Sequence, residues 1–184
     1  MKTEQVIKNV IKDIQVELLD EFDRNFERQA FFSEKWQRRK SPIRPGRAIL
    51  VDTGGLRGSI RSYTTENSIM FRSDHPGASI HNEGGEIKVT AKMKKFFWRK
   101  YYDTTGSFGR KKDGSLRNNK KNLYLSDVAE FWKFMALKKI GSTIKIPRRQ
   151  FIGASPEVEK AVRDIIEDNL NEFFSGFEFD ITEK

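Results

Sequence analysis

Asp52-Thr53-Gly54 is the triplet in this chain whose residue types most suggest chemistry. An Asp-Thr-Gly turn after an apolar run, here Ile49-Leu50-Val51, is the setting of an aspartic protease carboxylate. That reaction needs two carboxylates sharing one proton, hence a second such triplet or a homodimer. Only one is present, and it continues as Gly55-Leu56-Arg57-Gly58-Ser59-Ile60, which reads as a turn into a short helix. The histidines are two, His75 before Pro76, and His81 two residues before Glu83. Neither lies in an HExxH or HxxEH pattern, so no second zinc ligand is in sight. Cysteine is absent, which removes disulfides, thiolate nucleophiles and Cys-based metal sites. No phosphate-binding GxxxxGK[ST] loop, GxGxxG turn or GxSxG nucleophile elbow occurs. The expectation is no catalytic residue, no metal site and no cofactor.

Charge is the stronger signal. The 184 residues carry a formal net charge of +9, but its distribution is uneven. Lys88 to Arg149 holds 18 Lys and Arg against 4 Asp and Glu, leaving 17 against 22 in the rest of the chain. A basic middle of this kind is the footprint of a polyanionic partner, or of a subunit contact with the acidic flanks. Lys94, Lys95, Arg99 and Lys100 are interleaved with Phe96, Phe97, Trp98, Tyr101 and Tyr102, a mixture able to stack bases and neutralise phosphates. Lys111, Lys112, Lys120 and Lys121 add further charge. These eight cations are the candidate DNA or subunit contacts. A solvated basic loop over an aromatic cluster packing between subunits is the favoured reading; a nucleic-acid-binding protein is the alternative, ahead of a metal-dependent nuclease or a membrane-surface role.

The elements that must position these residues follow from periodicity. Val6, Ile7, Val10, Ile11, Ile14, Leu18, Phe22 and Phe26 recur at helical steps, predicting an amphipathic helix over 3–30, with Thr3 as N-cap. Pro42, Pro45 and Gly46 break the basic link that follows. Thr53 is placed to cap a helical turn carrying Leu56 and Ile60. Alternation predicts a hairpin over 61–73, a strand over 86–91 and a strand over 142–147. A short helical turn over 78–85 is stopped by glycine. Segments 92–102 and 126–137 are helical or extended, with a mobile loop over 104–122 between them. Ser155 and Pro156 open a last helix carrying Val158, Val162, Ile165, Ile166, Leu170, Phe173 and Phe177, and residues 178–184 add an edge strand or fray. The fold class is α+β, a small antiparallel sheet packed by an N-terminal and a C-terminal helix. The whole chain, 1–184, is expected to form one domain with a basic, partly mobile insertion at about 92–140. The N-terminus is charged throughout and no apolar run is long enough to span a bilayer, so a soluble cytoplasmic protein is expected.

Three blocks in a fixed order resemble the phage virion morphogenesis family, which includes Mu-like and P2-like tail completion proteins. The first is Ile49 to Ile60, with Leu50, Thr53, Gly54, Leu56, Ser59 and Ile60 at the matching positions. The second is Ala78-Ser79-Ile80-His81-Asn82-Glu83-Gly84-Gly85, and the third is Ile146-Pro147-Arg148-Arg149-Gln150-Phe151-Ile152-Gly153. Gly77, Arg148 and Gln150 depart from the family's usual residues at their places. The resemblance implies a non-enzymatic structural protein of the tail-completion or neck (head–tail connector) type. Its partners would be the tail tube or tail terminator and the neck or connector proteins, with packaged DNA as a possible contact and no membrane. It would act as a homo-oligomeric ring, a hexamer, on the virion, after assembly in the bacterial host cytoplasm. Leu50, Thr53, Gly54, Leu56, Ile60, Ala78, His81, Gly84, Gly85, Pro147, Arg149 and Phe151 would then be structural motif residues.

Overall fold

In the computed structural model, which describes residues 3–66 and 68–176, the chain divides into two compact units. Unit 1 takes Met1–Trp36, Ala48–Asn82 and Arg149–Lys184, and unit 2 takes Gln37–Arg47 and Glu83–Arg148. The elements are α-helical and antiparallel β, hence α+β. Among the described residues, the β content is divided among three two-stranded ladders.

Unit 1 is organised by α1 (Thr3–Arg28), whose Val6, Ile14, Leu18, Phe22 and Phe26 form a buried stripe. Thr3, expected as its N-cap, begins the helix, and its side chain lies outside the described residues. The helix stops at Arg28 because Gln29 turns left-handed, at φ 55°. The chain then folds into a two-residue ladder, β1 (Ala30–Phe31) with β2 (Glu34–Lys35). Trp36 follows, with its ring edge-on to Phe26. A 3-10 turn at Arg57–Ser59 leads into the hairpin β3 (Ile60–Thr64) and β4 (Ile69–Ser73), paired from Ile60 with Ser73 to Thr64 with Ile69. Phe71 of β4 meets Phe22 edge-on. The expected Thr53 cap does not form: Leu56 occupies the N-cap position without a side-chain bond, and the Thr53 hydroxyl accepts from Gly55 N–H at 3.4 Å. Arg57 instead fastens the turn to α1, its guanidinium forking between Asp23 and Glu27. That hydrogen bond from Arg57 holds the Asp23 carboxyl below its ordinary range.

The last helix, α5 (Pro156–Ser175), starts as the sequence predicts, with the Ser155 hydroxyl accepting from Val158 N–H and Pro156 in the first turn. It packs against α1, placing Val158, Ala161, Val162 and Ile165 on the core, and no residue of it is fully buried. The edge strand expected at 178–184 lies outside the described residues.

Unit 2 is a helical hairpin on a short ladder. β5 (Gly85–Lys88) pairs with β6 (Thr143–Ile146). The strand expected over 86–91 ends early because the Thr90 hydroxyl accepts from Met93 N–H and caps α3 (Ala91–Gly106). Asn119 caps α4 (Lys120–Leu137) in the same way, through Asn122 N–H. Both aromatic-rich segments are therefore helices. Phe97 and Trp132 stack at 6.0 Å between them, and Phe97, Val128, Ala129 and Ala136 form the seam.

Candidate functional site

All three motif blocks contribute to the core of unit 1, and the second and third meet again in unit 2. In unit 1 the segment Arg149–Ile152 belongs to no strand and is held by side chains and by the short helix α2 (Ala78–Asn82) instead of a ladder. Arg149 N–H donates to the carbonyl of His81 at 2.7 Å. Phe151 and Ile152 N–H both donate to the side-chain oxygen of Asn82, at 2.9 and 3.2 Å. The carbonyl of Gln150 accepts from the Trp36 indole at 2.7 Å, and that of Phe151 accepts from the Asn25 amide at 3.3 Å. Asn25 is wholly buried, and its oxygen takes Phe32 N–H at 2.9 Å. A buried backbone without such partners would cost about 1–3 kcal/mol per group. This clamp is what lets Phe151 stand in the core without a strand around it.

The motif residues are placed accordingly. Leu56, Ile60, Ala78 and Phe151 are core, and Leu50 packs against it. Arg149 is buried, whereas Thr53 is exposed. Asp52-Thr53-Gly54 is a turn, with Gly54 at φ 79° and its carbonyl accepting from Gly58 N–H at 2.8 Å. Among the described residues no three His, Asp or Glu side chains converge as a metal site. In unit 2, Gly84 sits at φ 74°, where a Cβ would come within 2.8 Å of the backbone nitrogen of Arg148. Gly84 is thus required where the chain enters and leaves the unit, beside Gly85 of β5 and Pro147 after β6.

His81 is half-buried, and its Nδ1 has no hydrogen-bond partner among the described residues. Burial, then the Arg149 charge and His75, push its pKa below the ordinary 6.5. The folded chain therefore binds fewer protons at His81 than the unfolded chain. The stability this contributes is complete above pH 6.5 and is lost as pH falls toward the depressed folded value. Urea midpoints measured from pH 7.5 to 5.5, roughly spanning the ordinary histidine range, should fall with acidification, and less so in His81→Gln. Equal slopes in the two chains would show that His81 does not carry the effect.

The structure separates the eight candidate cations into two groups. Lys95 and Arg99 share an outward face of α3 with Phe96 and Tyr102, while Lys94 and Lys100 are partly covered. Of the other four, Lys111 and Lys112 lie within the connection between the helices, and Lys120 and Lys121 open α4. The span expected as a mobile loop has helical ends, and its middle forms a tight turn. Arg110 bridges Leu116, Lys111 N–H donates to Ser115 at 2.8 Å, and Gly114 N–H donates to Lys111 at 3.1 Å. Buried Asn122 braces the turn by bonding both the N–H and carbonyl of Gly109, and the carbonyl of Arg117. Lys111 and Lys112 stand at the exposed tip. The single acid there, Asp113, is engaged by the Ser115 hydroxyl and N–H, which hold its carboxyl below the usual range.

Asn25, Asn82 and Asn122 are the residues that the pattern of motifs did not single out as organisers. A trace of the first was legible: Asn25 falls on the apolar stripe of α1, seven residues after Leu18 and beside Phe26.

A model of the phage virion morphogenesis family matches residues 1–171. No curated protein and no solved structure matches the chain.

Proposed function

The chain belongs to the phage virion morphogenesis family, and from that premise we propose that it completes the tail at the end that joins the head, acting as a ring and without catalysis. Its partners in this reading are the tail tube or terminator and the neck or connector proteins, met in the host cytoplasm during assembly. The observation that carries the reading is the division of labour among the side chains. The motif blocks are spent on the clamp around Phe151 and on turns, whereas large apolar side chains stand outward on the helical hairpin of unit 2. Interfaces differ from ordinary surface in such aromatic and apolar centres with charged rims. A closed ring needs two different complementary surfaces on each subunit. Native mass spectrometry and negative-stain imaging of the chain, with and without tail tubes, test this. A multi-copy collar on the tube end is expected, and a chain that stays monomeric and leaves the tubes bare would sink the reading.

A second reading has one specific observation behind it. The Asn122-braced turn presents Arg110, Lys111, Lys112 and Arg117 with Leu116 as its one large apolar side chain, a composition suited to phosphates more than to a protein interface. Binding of duplex DNA that weakens steeply with salt, and is reduced by Lys111→Glu with Lys112→Glu, would support a contact with packaged DNA. Flat titrations at low salt would remove it.

A further inference from the structure

Unit 2 carries 4 acids between Lys88 and Arg149, and their placement is informative. Asp113 is engaged by Ser115, and Asp103 lies 4.0 Å from Arg99. Asp127 and Glu130 are exposed and form no ion pair with a described residue. Both lie on one face of α4, at three- and four-residue steps with Leu123, Phe134 and Leu137. These three apolar side chains are 60–62% exposed, although the opposite face of α4 already supplies Val128, Ala129, Trp132 and Ala136 to the seam with α3. A helix that is apolar on both sides is normally covered on both sides.

The outward face of α3 has the opposite charge. Lys92, Lys95 and Arg99 recur there with Tyr102 at three- and four-residue steps, and Phe96, 48% exposed, borders the seam with its ring edge-on to Phe97 and Trp132 at 5.9 Å. Lys138 lies over the Phe134 ring at 4.7 Å, so it flanks the acidic face while Asp127 and Glu130 hold its centre. The hairpin therefore turns a cationic-aromatic face outward on one helix and an acidic-apolar face outward on the other.

We infer that the α4 face of one copy docks on the α3 face of a second copy, Asp127 and Glu130 against Lys95 and Arg99, with Leu123 and Phe134 against Phe96 and Tyr102. The occupant is another copy of this chain because each face supplies what the other lacks in charge, and both offer apolar side chains for its centre. Since the two faces differ, the contact is heterologous and repeats from copy to copy. This rests on the ring reading above and assigns the surfaces that would form the ring.

Charge reversal tests it in the full chain. Sedimentation gives self-association of the free protein, and copies per tail end give it for tube-bound protein. Asp127→Lys with Glu130→Lys should weaken self-association at least tenfold, and so should Lys95→Glu with Arg99→Glu. The four changes in one chain should restore it, because the charges are exchanged and complementary again. Phe134→Ser, which leaves every charge in place, should weaken it as well. Circular dichroism checks that each variant stays folded. If the parent chain self-associates and neither reversal nor Phe134→Ser changes this, the assignment falls while the ring reading stands. Failure of the fourfold chain to recover, with its helices intact, also overturns the assignment. A parent chain that is single-copy both free and on tubes overturns both.

Discussion

Phe26→Ala is expected to lower the unfolding free energy by about 3–5 kcal/mol. Phe26 is 1% exposed, its ring edge-on to Trp36 at 5.5 Å and tilted against Phe151 at 5.3 Å. It is the point where α1, the chain after β2 and the third motif block all touch. Those neighbours are held by separate anchors: Trp36 by its indole bond to Gln150, Phe151 by Asn25 and Asn82. They are poorly placed to collapse into the space a phenyl ring leaves, which puts the cost toward the upper end for this substitution. Against a total stability of about 5–15 kcal/mol for a typical domain, the loss is large. Urea unfolding followed by far-UV circular dichroism reads it directly. A loss below about 1 kcal/mol, small beside other core Phe deletions, would show that the cluster around Phe26 is looser than its burial implies.

Asn25→Ala should cost about 3 kcal/mol, for a different reason. Its volume is small, so packing is a minor part of the loss. The substitution strands two backbone groups, the carbonyl of Phe151 and the N–H of Phe32, which Asn25 bonds at 3.3 and 2.9 Å. Phe32 is held in a left-handed conformation at φ 50°, an uncommon one for a bulky residue, and the bond its N–H donates to Asn25 helps keep it there. Asn25→Asp retains the acceptor for Phe32 but loses the donor to Phe151, and it buries a carboxylate, so it should be at least as damaging as alanine. Asn9 of the same helix, whose one side-chain bond is to Gln5 at the surface, sets the baseline: Asn9→Ala should leave the midpoint nearly unchanged. If Asn25→Ala behaved like Asn9→Ala, the clamp would not be holding the third motif block.

Local chemistry accounts for the elements that are legible in the residue order alone. Helix α5 is legible because Ser155 and Pro156 are a cap and a first-turn residue wherever they occur before an amphipathic run. The β3–β4 hairpin and the body of α1 follow from periods of two and of three to four, which depend only on which side faces apolar neighbours. Thr90 shows the limit. The alternation of Ile87 and Val89 reads as strand through residue 91, yet the Thr90 hydroxyl meets Met93 N–H and starts α3 there. The aromatic-basic segments were ambiguous because their apolar residues fall on two faces, and a pattern with two faces has no single period.

The Asp-Thr-Gly triplet met first shows the same division. By itself the sequence establishes that one such triplet lacks its partner carboxylate, that no cysteine chemistry is available, and that charge is concentrated between Lys88 and Arg149. It also establishes the order of the three motif blocks, and with it the family. Tertiary structure alone decides that Asn25, Asn82 and Trp36 close around Phe151, because those side chains lie 69 to 126 residues from the backbone groups they hold. It alone divides the basic middle into a braced turn and two outward helix faces of opposite charge. Composition sums charges along the chain, whereas recognition depends on which of them share a surface.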